Sequence, residues 1–347
     1  MNKLNQSLVD TVFSKKIGFA RDSVMQGPAY GVDCSVVSIT DNLGMVIASD
    51  PLSIIPQIGM DASAFLSLQL AANDIATSGL RPQYGQFVLS FPNFVDKGGF
   101  EHYCEFIHQY AQKMEIAITG GHTSFVAGNN STLAGGLTLF AVGEMENILT
   151  STQAEEGDVL LMTKTAGLTA TSVLAMVFSN FVNSKLEKEI GKRASFNFWN
   201  ISVLLEAQTV SMLNKHAKIV TAMHDVTEGG VIGAAYEFAA ASNNGICVDT
   251  DKILVSMEST AIANVFDLDA KSTIGAGSML ISCKPDKKDI IINQIQRQGI
   301  PCTVIGKFLS EQEGKYIISD NREYELQTPS ADKYWEVFSK SIENGLS

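Results

Sequence analysis

The chain has 347 residues, of which 45% are hydrophobic and 18% are charged, a composition typical of a folded globular protein and not of a disordered one. The formal net charge of -12 and the sequence pI of about 4.9 argue against general binding to nucleic acids or anionic membranes, because both require a basic surface. Five cysteines without a CxxC pair predict no zinc site or disulfide framework, and the absence of a signal peptide or membrane-spanning apolar run predicts a cytoplasmic protein.

Mixed strand and helix patterns fill the first half of the chain. Apolar runs rich in β-branched residues predict strands at 35–39, 45–49, 86–91 and 133–142. Apolar residues spaced at i, i+3, i+4 and i+7 predict two helices, from about Asp61 to Ile75 and from Phe100 to Met114. We therefore expect residues 1–150 to form a domain with its own core.

A polar break at residues 155–158 separates this half from a second one of similar composition. We place the domain boundary there, which gives a second domain at 151–335. Helices are predicted at about 169–181, 199–213 and 286–298, and strands at 159–163 and 219–223 and near Ile246, Met279, Cys302 and Tyr316. The pattern as a whole predicts an α+β fold of two domains.

Four polar turns are predicted in the first half, at residues 27–33, 49–51, 73–79 and 119–123, each at the edge of an apolar element. Asp33, Asp50 and Asp74 would supply the hard oxygen ligands that Mg²⁺ prefers, and the pair Gly120-Gly121 would let the backbone approach a phosphate closely. Taken singly, each turn is better explained as an ordinary turn or helix cap. Four of them in one domain favour a ligand site.

The second half contains the most informative segment, residues 223–239, in which the predicted strand ends in an acidic turn and an apolar helical pattern follows. The N–H groups of a first helical turn can bind a phosphate, while Asp225 and Glu228 can bind the accompanying cation. The same residue types also describe an ordinary helix start, with Asp225 or Thr227 as the N-cap. The segment therefore predicts a ligand site or, alternatively, a simple cap.

Familiar nucleotide and nucleophile signatures are missing. The sequence has no GxxxxGK[ST] loop and no Gly-x-Ser-x-Gly, and its one near-match to a dinucleotide fingerprint, at 275–280, lacks the last glycine. His122, beside the Gly pair, is either a metal ligand or base, or a side chain that hydrogen-bonds its own loop. Any ATP site must therefore use another architecture.

Read in order, these segments resemble the AIR synthase-related (PurM-like) superfamily of ATP-binding proteins over nearly the whole chain. The matching segments are 27–37 with its "GxGxDAAV" opening, 49–50 with "TTD", 73–82 with "NDIAxxGxxP", 120–123 with "GGDT/GGHT", 224–230 with "HDxTxGG", and 273–281 with its late Gly-then-strand segment. The phrases Gly-Pro-Ala-Tyr-Gly-Val-Asp and Met-His-Asp-Val-Thr-Glu-Gly-Gly look most like the HypE branch, which acts in hydrogenase maturation.

The resemblance implies a two-domain PurM-like fold in which the N-terminal α/β domain forms a β-barrel with a second copy, giving a homodimer, and a C-terminal α/β domain follows. It implies ATP with Mg²⁺ in the cleft, with metal ligands at Asp33, Asp50 and Asp74. It also implies catalytic roles for Asp225 and His122. The implied cofactor-binding residues are Gly31, Asn73, Asp74, Gly120, Gly121 and Thr123.

Three departures from the family pattern keep several functions open. Val32 stands where many members have a second acid, and His122 replaces an aspartate of the kinase branch. HypE proteins carry a C-terminal cysteine that receives a carbamoyl group, whereas the last cysteine here is Cys302. We expect an enzyme that uses ATP and Mg²⁺ to activate a carbonyl, amide or phosphate oxygen of a small or carrier-bound substrate, with a hydrogenase maturation partner. The alternatives are a small-molecule kinase resembling thiamine-monophosphate kinase and an inactive nucleotide-binding regulatory or scaffold protein.

Overall fold

The computed structural model describes residues 6–329 and 331–347, which build two mixed sheets with helices packed on them. The strands of the first sheet are β1 (Val24–Gln26), β2 (Ser35–Ser38), β3 (Leu43–Ser53), β4 (Tyr84–Phe91), β5 (Ala117–Phe125) and β6 (Leu133–Glu144). Their order is β1-β2-β3-β6-β4-β5. Neighbours are antiparallel except β4 and β5, which run parallel.

Two long helices, α2 (Gly59–Thr77) and α3 (Lys97–Lys113), lie on the first sheet, after a short α1 (Gln6–Leu8) that continues as a π-helical turn at Val9–Phe13. Asp96 caps α3 by accepting the N–H of Gly99 at 2.8 Å. Helix α2 is buried on almost every side because the first sheet lies on one flank and the second domain on the other. Its all-round apolar sequence follows from that position.

One face of the first sheet is open in a single chain. Along β4, Phe87 and Leu89 point into the core, while Tyr84 and Val88 on the opposite face are 46% and 48% exposed. Ile118 on the neighbouring β5 is 46% exposed as well. The uncovered face therefore carries large apolar side chains.

The second sheet is built from seven strands of the second half. They are β7 (Val159–Thr163), β8 (Val220–Asp225), β9 (Gly245–Asp249), β10 (Met279–Cys283), β11 (Cys302–Leu309), β12 (Lys315–Ser319) and β13 (Arg322–Glu325). The order is β13-β12-β9-β11-β7-β10-β8, antiparallel except for the parallel pair β9 and β12. Strands β7, β8, β9 and β10 are buried almost throughout, whereas β12 is half-buried and the edge strand β13 is exposed.

The helices of the second domain are α4 (Leu168–Val177), α5 (Ser179–Lys185), α6 (Lys188–Phe196), α7 (Leu204–Ala217), α8 (Gly230–Ala241), α9 (Met257–Val265), α10 (Lys288–Gln296) and α11 (Lys333–Glu343). The single helix predicted at 169–181 is divided at Phe178, whose φ of -107° and ψ of 40° are not helical. That break lets the fully buried Phe178 ring pack on Phe266 and Phe338. Helix α11 extends past residue 335, the end predicted for the second domain.

Three of the predicted polar turns lie inside regular elements. Asp50 is within β3, where it pairs with Leu137 of β6, and residues 73–77 form the last turn of α2. Residues 119–123 belong to β5, because their backbones pair with β4. The turn prediction was wrong at these places. Contacts with segments distant in sequence hold these polar and glycine residues in regular structure, and a local pattern does not show such contacts.

The two domains share one apolar core. Leu68 and Ile75 of α2 belong to the same buried cluster as Val203 and Met223 of the second domain. The relative position of the two sheets is therefore fixed by side-chain packing and not only by the connecting chain. Among the described residues, no helix is long and apolar enough to cross a membrane.

Candidate functional site

A cavity of about 810 Å³ lies where the two domains meet, a size within the usual range for small-molecule sites. Asp33, Asp50 and Asp74 line it from the first domain, and Asp225 lines it from the second. The structure thus brings together the three predicted metal ligands and one of the two predicted catalytic residues. Glu228 and Glu237 add further carboxylates to the lining.

Three of these carboxylates, Asp50, Asp74 and Asp225, are positioned by regular elements. Asp50 is held by the pairing of β3 with β6, and Asp74 projects from the C-terminal part of α2. Asp225 is the last residue of β8 and is 3% exposed. Strand ends and helix faces that are fixed in this way hold a site more precisely than loops do.

A buried charge cluster joins the domains beside the cavity. His224 Nδ1 lies 2.7 Å from Asp33 Oδ1, and His224 Nε2 lies 3.6 Å from Glu237 Oε2. Burial lowers the pKa of His224, but the carboxylates of Asp33 and Glu237 outweigh it and raise the pKa to about 10. The imidazolium therefore neutralises and positions Asp33, whose second oxygen accepts the Asp225 N–H at 3.4 Å.

Gly31 lines the cavity and is required by the close approach of the domains. Its φ is +74°, and a Cβ at this position would lie 2.3 Å from the carbonyl oxygen of Glu237 on α8. Only glycine fits such a conformation at that distance. The predicted cofactor-binding role of Gly31 remains a proposal, and its backbone is placed at the cavity wall.

Asn73 does not reach the cavity and is fully buried. Its Nδ2 donates to the carbonyl of Ile201 at 2.9 Å, and its Oδ1 accepts the N–H of Val203 at 3.0 Å and Nε2 of Gln69 at 2.8 Å. These hydrogen bonds hold the junction between α2 and the segment that leads into α7, and a cofactor-binding role of Asn73 stays a prediction. A sequence motif cannot show which side of a helix its asparagine faces.

Gly120, Gly121, His122 and Thr123 are exposed on the edge strand β5 and are not among the residues that line the cavity. Within one chain, the glycine pair predicted to bind the cofactor is therefore not part of the cavity wall that contains Asp225. Strands β6 and β4 separate β5 from β3, and three strand spacings are about 14 Å. A Cβ on Gly121 would lie 1.8 Å from the carbonyl oxygen of Phe87, so strand pairing explains this glycine.

The acidic turn before α8 is not a helix cap. The N-cap of α8 is Gly229, with φ +78° and no side-chain cap, so the alternative of Asp225 or Thr227 as N-cap is wrong. The Gly229 N–H instead donates to Asp332 Oδ2 at 2.9 Å. Asp332 and Glu237 were not predicted as part of the site, although Glu237 is the one charged residue in the otherwise apolar α8 and could have been noticed on that ground.

The charged residues among the described lining of the cavity are all acidic. None of the described residues that line it is a lysine or arginine. The described residues also contain no group of three or more His, Cys, Asp or Glu side chains arranged to hold a metal ion.

Two family models match the chain, the N-terminal domain of AIR synthase related proteins at residues 31–145 and the C-terminal domain at residues 155–319. These ranges include most of the chain and both walls of the acidic part of the cavity. The protein belongs to the AIR synthase-related family. It has the two-domain α+β fold of the PurM-like superfamily.

Curated relatives perform different reactions. A selenide, water dikinase from Methanococcus maripaludis is 27% identical over 240 residues, which cover 65% of this chain and 66% of that protein. The match to a second such dikinase, from Methanocaldococcus jannaschii, covers 62% of its length, so the chain spans less than two thirds of both. A thiamine-monophosphate kinase from Nitrosopumilus maritimus is 22% identical over 341 residues, which cover 97% of this chain and 100% of that protein.

Solved structures share the fold. HypE in the HypE–HypF complex superposes with a TM-score of 0.70 at 15% identity and covers 93% of this chain and 100% of its own. The thiamine-monophosphate kinase AaThiL with AMPPCP and TMP has a TM-score of 0.68 at 14% identity, with 94% and 97% covered. The hydrogenase maturation protein HypE with ATP has a TM-score of 0.66 at 14% identity, with 94% and 95% covered.

Proposed function

We propose that the protein is an ATP- and Mg²⁺-dependent enzyme that activates a carbonyl, amide or phosphate oxygen of a small or carrier-bound substrate, as HypE-like proteins do. The observation that carries this proposal is the single cavity lined by Asp33, Asp50, Asp74 and Asp225 from both domains. The family match, and structural neighbours bound to ATP or AMPPCP, support a nucleotide as one ligand.

The charge of the cavity gives the proposed site its chemistry. A triphosphate cannot approach an acidic lining without a bridging cation, and Asp50 and Asp74 are the half-buried carboxylates we assign to Mg²⁺. Asp33 is less available because His224 already holds it. Bound Mg²⁺ would neutralise charge on the transferring phosphoryl group. Asp225, at the end of β8, would orient the acceptor and hold its proton.

A hydrogenase maturation partner belongs to the same proposal. HypE forms a complex with HypF, and that similarity supports a protein partner here. Cys302 is buried in β11 and is therefore not placed as a mobile, carbamoyl-accepting thiol. The open apolar face of the first sheet also supports a homodimer formed by the N-terminal domains.

A small-molecule kinase is the second candidate, favoured by a match to thiamine-monophosphate kinase along 97% of the chain. The third is a nucleotide-binding protein without catalysis, which Val32 favours because it replaces a potential acidic ligand. Product analysis after incubation with ATP, Mg²⁺ and candidate acceptors separates the three. We expect ADP with an acyl phosphate or a dehydrated product. ADP with a phosphorylated acceptor would establish the kinase, and binding without turnover would refute an enzyme.

A further inference from the structure

The cavity has a second half that differs sharply from the acidic one. Leu66 and Leu70 of α2 and Val173 of α4 line it on one side. Trp335, Phe338 and Ile342 of α11 line it on the other. Apart from Ser339 and the exposed Glu343 of α11, this half is mainly apolar, and it belongs to the same cavity as the carboxylates.

Helix α11 is a fixed wall and not a loosely attached tail. Its N-cap Asp332 accepts the N–H of Tyr334 at 2.9 Å and also holds Gly229 and Thr273 through hydrogen bonds of 2.9 and 3.1 Å. Phe338 packs on Phe178 with ring centroids 5.6 Å apart. The wall is therefore tied to the same turn that carries Asp225, which keeps the apolar half beside that carboxylate.

Two observations argue for what occupies the apolar half. Helix α11 lies outside residues 31–145 and 155–319, which the family models match. A nucleotide site common to the family is expected within the matched residues and not at α11. The described lining contains no lysine or arginine, so an anionic group buried there would have no direct counter-charge. An uncharged, apolar group fits both observations.

We propose that this half is the acceptor-specificity subsite, and that the acceptor is an organic molecule with an uncharged apolar or planar body whose reactive oxygen points to Asp225. The proposal rests on the proposed function and adds the substrate class to it. It excludes a small inorganic acceptor, which would leave the apolar wall without contacts. Helix α11 thus determines which acceptor the enzyme takes.

A matched pair of probes and a matched pair of variants test the proposal. Benzamide is a neutral planar amide, and benzoate is its anionic counterpart. Ile342 lines the cavity and is 38% exposed, whereas Ile290 on α10 is 50% exposed and does not line the cavity. The variants Ile342→Asp and Ile290→Asp therefore make the same substitution inside and outside the subsite. Affinities are measured by ligand-observed NMR, with the melting temperature of each variant as the control for folding.

Benzamide is expected to bind the wild type and Ile290→Asp with equal affinity and Ile342→Asp about tenfold more weakly. Benzoate is expected to bind the wild type about tenfold more weakly than benzamide does. Mg-ATP affinity, measured by calorimetry on the same samples, should be the same for all three proteins. Equal binding of both probes, or an unaffected Ile342→Asp, would overturn the subsite. So would a matching loss of Mg-ATP affinity in Ile342→Asp, because the adenine ring would then occupy this half. Failure of Mg-ATP to bind the wild type would instead refute the proposed function.

Discussion

Asp225 closes β8 inside the cavity, and the helix after it begins at Gly230 with Gly229 as its N-cap. Helix capping therefore does not explain this carboxylate. We expect Asp225→Asn to leave Mg-ATP affinity nearly intact and to lower turnover about 10²-fold, the usual scale for loss of a positioned acid-base group. The ATPase rate and melting temperature of the variant are compared with those of Asp41→Asn, an exposed position outside the cavity. Normal turnover in a normally melting Asp225→Asn would refute the assignment.

His224 makes the stability of the protein depend on pH. The pKa of His224 is raised from an ordinary 6.5 to about 10 in the folded protein. Its contribution to the free energy of unfolding is therefore complete below pH 6.5 and is lost as the pH rises through 10. The melting temperature in metal-free buffer should fall over this window. His224→Asn should cost about 3–5 kcal/mol, because Asp33 and Glu237 lose their buried counter-charge.

The matched control for that pH series is His102→Asn, which changes an exposed histidine of α3. It should keep the wild-type slope of melting temperature against pH, whereas His224→Asn should flatten it. An unchanged slope in His224→Asn would show that the buried histidine is neutral.

At the level of single residues, the motifs predicted the cavity carboxylates well but not their contacts. Asp33, Asp50, Asp74 and Asp225 all line the cavity. The role of Asn73 at the domain junction was not predictable, because it depends on Val203 in the other domain.

Strand β5 offers a sharp test of how the glycine pair is used. A Cβ on Gly121 would meet the carbonyl oxygen of Phe87 at 1.8 Å, whereas a Cβ on Gly120 has no atom within 4 Å. Gly121→Ala should therefore lower the melting temperature by more than Gly120→Ala, although both positions have positive φ. Equal melting temperatures would contradict the pairing of β5 with β4.

Among the elements, periodicity predicted β4, β6, α2 and α3, whose patterns extend over several turns or pairs. It missed the strands β1, β5 and β13 and the helices α1, α6, α9 and α11. The spacing of Tyr334, Phe338 and Ile342, with Asp332 as N-cap, is a signal from which α11 could have been predicted. The interior position of Asp50 in β3 was not predictable, because it depends on the partner strand β6.

For the whole molecule, the open apolar face of the first sheet predicts a homodimer through the N-terminal domains. Light scattering at micromolar concentration should give the mass of two chains. Val88→Asp, at a position 48% exposed on that face, should yield monomers, while Ile290→Asp in the second domain should remain dimeric. A wild-type monomer would contradict this prediction.

The most direct test of the shared cavity is calorimetry of Mg-ATP with three single substitutions of aspartate by asparagine. Asp50→Asn and Asp74→Asn remove carboxylates that line the cavity, and Asp41→Asn removes one from the exposed turn between β2 and β3. We expect each cavity variant to lose about tenfold or more in Mg-ATP affinity, since each removes a proposed ligand of the bridging cation, while Asp41→Asn binds like the wild type. Unchanged Mg-ATP affinity in both cavity variants would contradict the account.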